Sequence, residues 1–197
     1  SAGKGSKVIE LIVGALKKRD YLAQGHGDRI AQGAEEMARL LNLPAKIRKN
    51  LILLAKVHDL GKIGIPDNIL YKKGRLTDEE YNKIKEHSRI GYYVAKRTKE
   101  LSHIASLILY HHERYDGKGY PSGLKGNDIP LECRILSVLD AYDIMTHETP
   151  YSEKMSSCQA LEELKRGSGT RFDPKMVNAF LRIVDENTAI NCREVVQ

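Results

Sequence analysis

Pro44-Ala45-Lys46-Ile47-Arg48-Lys49-Asn50-Leu51-Ile52-Leu53-Leu54-Ala55-Lys56-Val57-His58-Asp59-Leu60-Gly61-Lys62 combines a helix start, an apolar stripe and an abrupt polar end. Pro44 suits the first position of a helix, where its missing N–H is no loss. Ile47, Leu51, Leu54 and Val57 recur three and four residues apart, so they share one helical face. His58 and Asp59 close that run, and Gly61 follows. The same period appears on both sides. Val8, Ile9, Ile12, Ala15 and Leu16 form one stripe. Ile30, Ala34, Met37, Ala38 and Leu41 form another, stopped by Asn42-Leu43-Pro44. Thr77-Asp78-Glu79-Glu80 has the form of a capping box ahead of Tyr81, Ile84 and His87. Further helices are expected over residues 101–112, 130–145, 157–165 and 174–184. β-branched alternation is absent, so no sheet is expected. No internal repeat or low-complexity stretch interrupts the pattern. The expected fold is all-α, a single compact helical domain over residues 8–186. Residues 1–7 read as an expression remnant or linker, and 187–197 as a C-terminal tail.

The chain has 197 residues, 41% of them hydrophobic, which suffices for one well-buried core. Charged residues make up 29%, which argues against a disordered chain. The longest apolar runs, residues 51–55 and 104–110, fall short of the roughly 20 residues a bilayer requires, so no membrane span is expected. Lys and Arg number 32 against 26 Asp and Glu, a net charge of +6. That excess is spread along the chain. With two Phe and no Trp there is no basic stripe interleaved with aromatics, so the basic runs read as solvated helix faces and no DNA partner is expected. Cys133, Cys158 and Cys192 are odd in number and form no CxxC pair. Neither a disulfide framework nor a thiolate zinc site is indicated, and a reducing cytoplasm fits best.

Glycine and proline concentrate in residues 61–73 and 116–130, each stretch directly after a histidine-bearing helix end. Long loops in a compact helical protein are often functional. His58-Asp59 and His111-His112 stand at those ends, His26 follows Gly25 near a helix start, and His87 precedes Ser88. Asp140 and Asp143 are three apart and share a helical face. Imidazole and carboxylate without thiolate suit iron, manganese or zinc. An aspartate beside a histidine can offer one oxygen to each of two ions. Seven donors from five segments are too many for one ion and suit two. His103 and His147 fall outside this pattern and are assigned to core or surface.

The string His58-Asp59-Leu60-Gly61-Lys62-Ile63-Gly64-Ile65-Pro66-Asp67 resembles the HD signature of the HD-GYP domain. His111-His112-Glu113-Arg114-Tyr115-Asp116-Gly117-Lys118-Gly119-Tyr120-Pro121 resembles its GYP signature. Gly25-His26, Leu76 to Glu80 followed by His87, Leu139-Asp140-Ala141-Tyr142-Asp143 and Gly169-Thr170-Arg171-Phe172-Asp173-Pro174 agree in order and spacing. The similarity runs over residues 8–186. It implies an HD-superfamily fold with a metal site among helix ends, and a bacterial signalling hydrolase that opens cyclic dinucleotides, chiefly cyclic di-GMP. By that resemblance His26, His58, Asp59 and Asp140 surround one ion, and Asp59, His87, His111 and His112 a second. Two divalent transition metals are implied, with iron or manganese expected. Lys62 and Asp143 stand beside them as the catalytic pair, Lys62 stabilising or protonating the leaving oxygen and Asp143 orienting it. Gly119, Tyr120 and Pro121 shape the loop over the substrate, and Arg114 is a candidate phosphate contact. Attack by metal-activated hydroxide would yield linear pGpG, with a second cut to GMP left open. An upstream sensory or receiver domain and signalling partner proteins go with such a domain.

The chain also departs from the family pattern. Two basic residues that follow the last ligand helix in relatives are Thr149 and Ser152 here. Their absence should weaken the grip on a substrate phosphate or change which cyclic dinucleotide is accepted. Leu22 stands where some relatives carry a glutamate that holds a third metal, so two metals are expected. Gly27 replaces a serine. The alternatives are a weak or inactive sensor that binds a cyclic dinucleotide or a protein, a phosphodiesterase for another cyclic dinucleotide such as cyclic GMP-AMP, and a general nucleotide phosphohydrolase. Turnover of labelled cyclic di-GMP separates them.

Overall fold

The computed structural model describes residues 2–19, 25–147 and 154–187. Thr149, Ser152 and Leu22 lie outside them. In chain order the helices are α1 (Ala2–Arg19), α2 (His26–Leu40), α3 (Ala45–Val57), α4 (Asp67–Leu70), α5 (Asp78–Lys85), α6 (His87–Arg97), α7 (Ala105–Tyr110), α8 (Leu131–Thr146), α9 (Ser157–Arg166) and α10 (Pro174–Asn187). Short 3-10 turns cover His58–Gly64, Ser102–Ile104 and Gly126–Asp128. The one β-type pairing among the described residues is an isolated bridge between Ser168 and Phe172, so the fold is all-α. Helix α1 takes in residues 2–7, which the sequence reading had set apart.

The expected stripes are the buried faces. Leu51, Leu54 and Val57 of α3, and Ala34 and Met37 of α2, are fully buried. A short connection folds α2 back on α3. Asn42 takes a left-handed φ of 50°, and Leu43 N–H donates to the Ala38 carbonyl at 2.9 Å, which satisfies an end of α2. Helix α8 packs against α2, α3, α9 and α10 and buries Ile135, Leu136, Val138 and Leu139. Truncating a leucine in such a site costs about 2–5 kcal/mol. Capping boxes start α5 at Thr77 and α9 at Ser156; the second was not read from the sequence.

Three local readings are corrected. Pro44 does not open α3 from inside; it sits just ahead as the cap, with an extended ψ of 145°. Residues 101–112 are not one helix. The turn Ser102–Ile104 precedes α7, which ends at Tyr110, so His111 and His112 leave the helix in a turn. Residues 61–73 are not an open loop, because the 3-10 turn prolongs α3 and α4 follows. That 3-10 turn lies against α6 at backbone distance. A Cβ on Gly61 would overlap the His87 carbonyl oxygen, and one on Gly91 would come 2.8 Å from Ile108 Cγ2. The two glycines let His58 and His87 face each other. Cys133 is buried and free.

Candidate metal centre

Each candidate donor sits at a helix boundary or on α8. His26 is the first residue of α2, behind Gly25, whose φ of 78° only glycine adopts without strain. His58 and Asp59 begin the 3-10 turn, His87 begins α6, and His111 and His112 follow α7. Asp140 and Asp143 lie on α8. The fold brings them into two groups. His26, His58 and Asp140 offer ligand atoms within 4.8 Å of one another, and so do His87, His111 and His112. Asp59 stands between the groups, with Oδ2 3.5 Å from His58 Nε2 and Oδ1 3.7 Å from His87 Nε2. One carboxylate thus turns an oxygen toward each group.

The imidazoles are held with Nε2 bare. His58, His87 and His111 each donate Nδ1–H to the carbonyl three residues back, on Ala55, Ile84 and Ile108, at 3.0, 2.6 and 2.6 Å. These bonds assign the tautomer and leave lone pairs on Nε2. His87 Nε2 then lies 3.3 Å from His111 Nε2 and 3.1 Å from His112 Nε2. His87 and His111 thus aim two lone pairs at one point, and these repel unless a cation or a proton sits between them. The donor set therefore fits a metal ion on grounds of its own chemistry.

Electrostatics separates the groups. Burial opposes a charge on His26, but its hydrogen bonds to Asp140 and Asp143 outweigh burial and raise its pKa to about 10. Burial and the neighbouring His87 and His58 push His111 down to about 3. His87 and His112 are lowered too, chiefly by burial. Asp59 stays ionised against the burial penalty because Lys62, His58 and His87 surround it. A metal at His26 Nε2 must displace a proton, whereas His87 and His111 keep their ring proton on Nδ1 and carry none on Nε2. Loading the metal-free protein with Mn²⁺ at pH 8 is thus expected to release about one proton from His26. Calorimetric titration in two buffers of different ionisation enthalpy counts it; zero release contradicts the assignment. Affinity at this group should rise with pH up to about 10. In the metal-free protein the raised pKa stabilises the fold below the unfolded value of 6.5, and that contribution disappears as pH climbs through about 10.

Lys62 and Asp143 do not sit as the expected pair. Lys62 Nζ is 2.8 Å from Asp59 Oδ2. Asp143 accepts from His26 Nδ1 at 2.7 Å and from Arg29 Nε and Nη2 at 2.6 and 2.8 Å. Its pKa falls to about 2, burial being overcome by His26 and Arg29. His147, assigned to core or surface, approaches Asp143 Oδ1 at 3.2 Å. Arg29 was missed. The available signal was its spacing, His26-x-x-Arg29 answering Asp140-x-x-Asp143.

The loop after His112 folds back on itself. Glu113, buried, accepts from Ser122 N–H at 2.7 Å and Leu124 N–H at 3.0 Å, another role the sequence reading missed. A Cβ on Gly119 would lie 2.6 Å from Glu113 Cα, so only glycine allows the fold-back. Tyr120 N–H donates to the His112 carbonyl at 3.3 Å, and its ring stacks on His112 at 4.9 Å and 25°. The Tyr120–Pro121 bond is cis. Arg114, the expected phosphate contact, is held by both carboxylate oxygens of Asp116 at 3.1 and 2.7 Å. The backbone of residues 170–171 ties the loop down through Asp116 N–H to the Thr170 carbonyl, 2.8 Å. A small cleft opens between α1 and the His26–His58 group, lined by Val13, Leu16, Lys17, Asp59 and Lys62.

An all-helical fold with paired histidine–aspartate groups defines a class, and the comparisons agree with it. The chain belongs to the HD domain family, whose model matches residues 10–176. It is 35% identical over 190 residues to a cyclic di-GMP phosphodiesterase of Thermotoga maritima, covering 95% of this chain and 52% of the relative. It is 34% identical over 186 residues to the 3'3'-cGAMP-specific phosphodiesterase 2 of Vibrio cholerae, covering 93% of this chain and 36% of that protein. Among solved structures, Bd1817 of Bdellovibrio bacteriovorus, an HDG"Y"P protein, superposes with a TM-score of 0.66 at 20% identity over 81% of this chain and 51% of its own. The fold is therefore that of HD-GYP proteins. The chain spans about half or less of the length of the curated relatives it matches. No helix among the described residues is long and apolar enough to cross a membrane.

Proposed function

We propose that this domain, taken as residues 8–186, is a metal-dependent phosphodiesterase that opens cyclic di-GMP to linear pGpG. The observation that carries the reading is the pair of imidazole–carboxylate groups joined through Asp59. His26, His58, Asp59 and Asp140 would hold one ion and Asp59, His87, His111 and His112 the other. The all-nitrogen and oxygen donor set favours iron or manganese. Metals bound there supply Lewis-acid charge to the phosphate and to the attacking water.

The chain's own residues do the rest. Lys62 Nζ, held at 2.8 Å by Asp59, is the N–H donor for the departing 3′ oxygen. Asp143 acts one step back, as a positioning residue: it fixes the His26 ring through Nδ1 and anchors Arg29. Glu113 and Gly119 hold Tyr120 and Pro121 beside the second group. A charged dinucleotide does not cross a bilayer unaided, so the enzyme must meet it in the cytoplasm where it is made. Because the chain covers only part of its relatives, a sensory or receiver domain and signalling partners belong to the same proposal. Incubating metal-loaded protein with labelled cyclic di-GMP tests it, with products separated to show whether pGpG is cut again. Saturable binding without turnover would replace the enzyme by a sensor.

Cyclic GMP-AMP is a second reading of the substrate, supported by the similarity to the 3'3'-cGAMP-specific phosphodiesterase 2 of Vibrio cholerae; Thr149 and Ser152 bear on how tightly either substrate is held. The metals can neutralise only the phosphate being cut, and the other phosphate needs its own cation. Exchanging two charged contacts for hydroxyls costs on the order of 2–3 kcal/mol, roughly 30- to 200-fold in affinity. With Arg114 bound by Asp116, Lys118 and Lys154 are the nearest cations in sequence. Thr149→Arg with Ser152→Lys should lower the KM for cyclic di-GMP by about that factor. Michaelis constants for both substrates on wild type and double variant decide it; no change removes the phosphate-clamp account.

A further inference from the structure

Three side chains outside the ligand set stand together beside the His87–His112 group. Tyr120 stacks on His112. Lys85 Nζ lies 5.7 Å from the centre of the Tyr120 ring and 4.5 Å from that of Tyr81. It also reaches Asn82 Oδ1 at 3.3 Å. Tyr81 is half exposed, at 49%. Tyr81 and Lys85 are four residues apart on α5 and share its face. The Thr77–Glu80 capping box and the Lys72–Glu80 ion pair, 2.6 Å, hold that helix in place.

We infer that Lys85, held between the Tyr81 and Tyr120 rings, selects guanine over adenine in the bound cyclic dinucleotide. The substrate class is taken from the phosphodiesterase reading; the discrimination comes from this cluster. Aromatic faces stack on any base and do not choose between purines. The choice needs a directional polar group. An ammonium only donates. Guanine presents two acceptors side by side, O6 and N7, while adenine pairs its N7 with an amino donor. A cation at the purine edge is therefore satisfied by guanine and opposed by adenine. The proposed ligands act on phosphate and cannot make this distinction. A Tyr81–Lys85 pair that served only helix stability would have no need of a third ring from a distant loop. Tyr120 brings the cluster against the imidazole group, so a base lying there belongs to the nucleotide whose phosphate reaches the centre.

The test uses Lys85→Met, which keeps a stem of similar length between the rings and removes the charge. The kcat/KM for cyclic di-GMP relative to cyclic di-AMP should fall about 5- to 100-fold, through a loss with cyclic di-GMP and an unchanged or raised value with cyclic di-AMP. Tyr81→Phe keeps the ring that holds Lys85 and should leave the ratio unchanged. Calorimetric titration of metal-free protein with each dinucleotide, in chelator, gives the same comparison without turnover. A ratio unmoved by Lys85→Met, in a variant with wild-type thermal stability, overturns the inference and leaves the phosphodiesterase reading intact. If the wild type turns over neither substrate, that reading fails, and calorimetry alone decides. A guanine preference lost in Lys85→Met then upholds the inference, whereas no preference or no binding overturns it.

Discussion

Asp59→Ala is expected to empty both halves of the centre and to lower turnover by roughly three orders of magnitude or more, about 4 kcal/mol of transition-state stabilisation. One carboxylate faces both groups, at 3.5 Å from His58 Nε2 and 3.7 Å from His87 Nε2. Water can replace a terminal ligand, but it supplies no negative charge between two cations. The loss also reaches Lys62. Its ammonium is paired with Asp59 at 2.8 Å, and without that partner it faces the same space the metals need. Asp59→Asn should fall between wild type and alanine, because the amide keeps one oxygen and the shape but not the charge. Helical content should survive in both, since Asp59 lies outside the packed apolar faces. Elemental analysis, circular dichroism and turnover measured on the same preparations make the comparison. Full metal content with full activity in Asp59→Ala would remove the ligand assignment altogether.

Gly61→Ala is the second large effect, and it acts through packing. Its Cβ would overlap the His87 carbonyl oxygen, a backbone atom that cannot rotate away. The 3-10 turn must then lift from α6, which separates His58 and Asp59 from His87. The expected cost is about 3 kcal/mol or more, which for a domain of this size lowers Tm by about 6–12 °C. Metal content should fall with it although no ligand has been changed. Gly14→Ala is the control. A Cβ there meets nothing within 4 Å, and in the interior of α1 alanine should be neutral or stabilise by about 0.5–1 kcal/mol. A Gly61→Ala protein that melts like wild type and keeps its metal would show that the turn and α6 do not need this contact.

The helices and the donor residues were legible because they depend on near neighbours in the chain. The stripe Leu51, Leu54, Val57 is buried, and Thr77 with Glu80 forms the capping box its spacing announces. Doubled histidines at helix ends, and Asp140 with Asp143 on one face, mark the donors before any contact is known. Helical period and capping act within about four residues, and one sequence carries them in full. Partners are another matter. Asp143 lies 114 positions from Arg29 and 117 from His26, and nothing in the local pattern says that these, and not Lys62, surround its carboxylate. The same holds for Arg114, which spends its fork on Asp116, and for Lys85, which finds Tyr120 through a folded-back loop. The break at Ser102–Ile104 and the bare approach at Gly61 are likewise results of packing. Which charge meets which depends on the backbone distances that close packing permits, and those distances exist only once α6, α8 and the HD turn have come together.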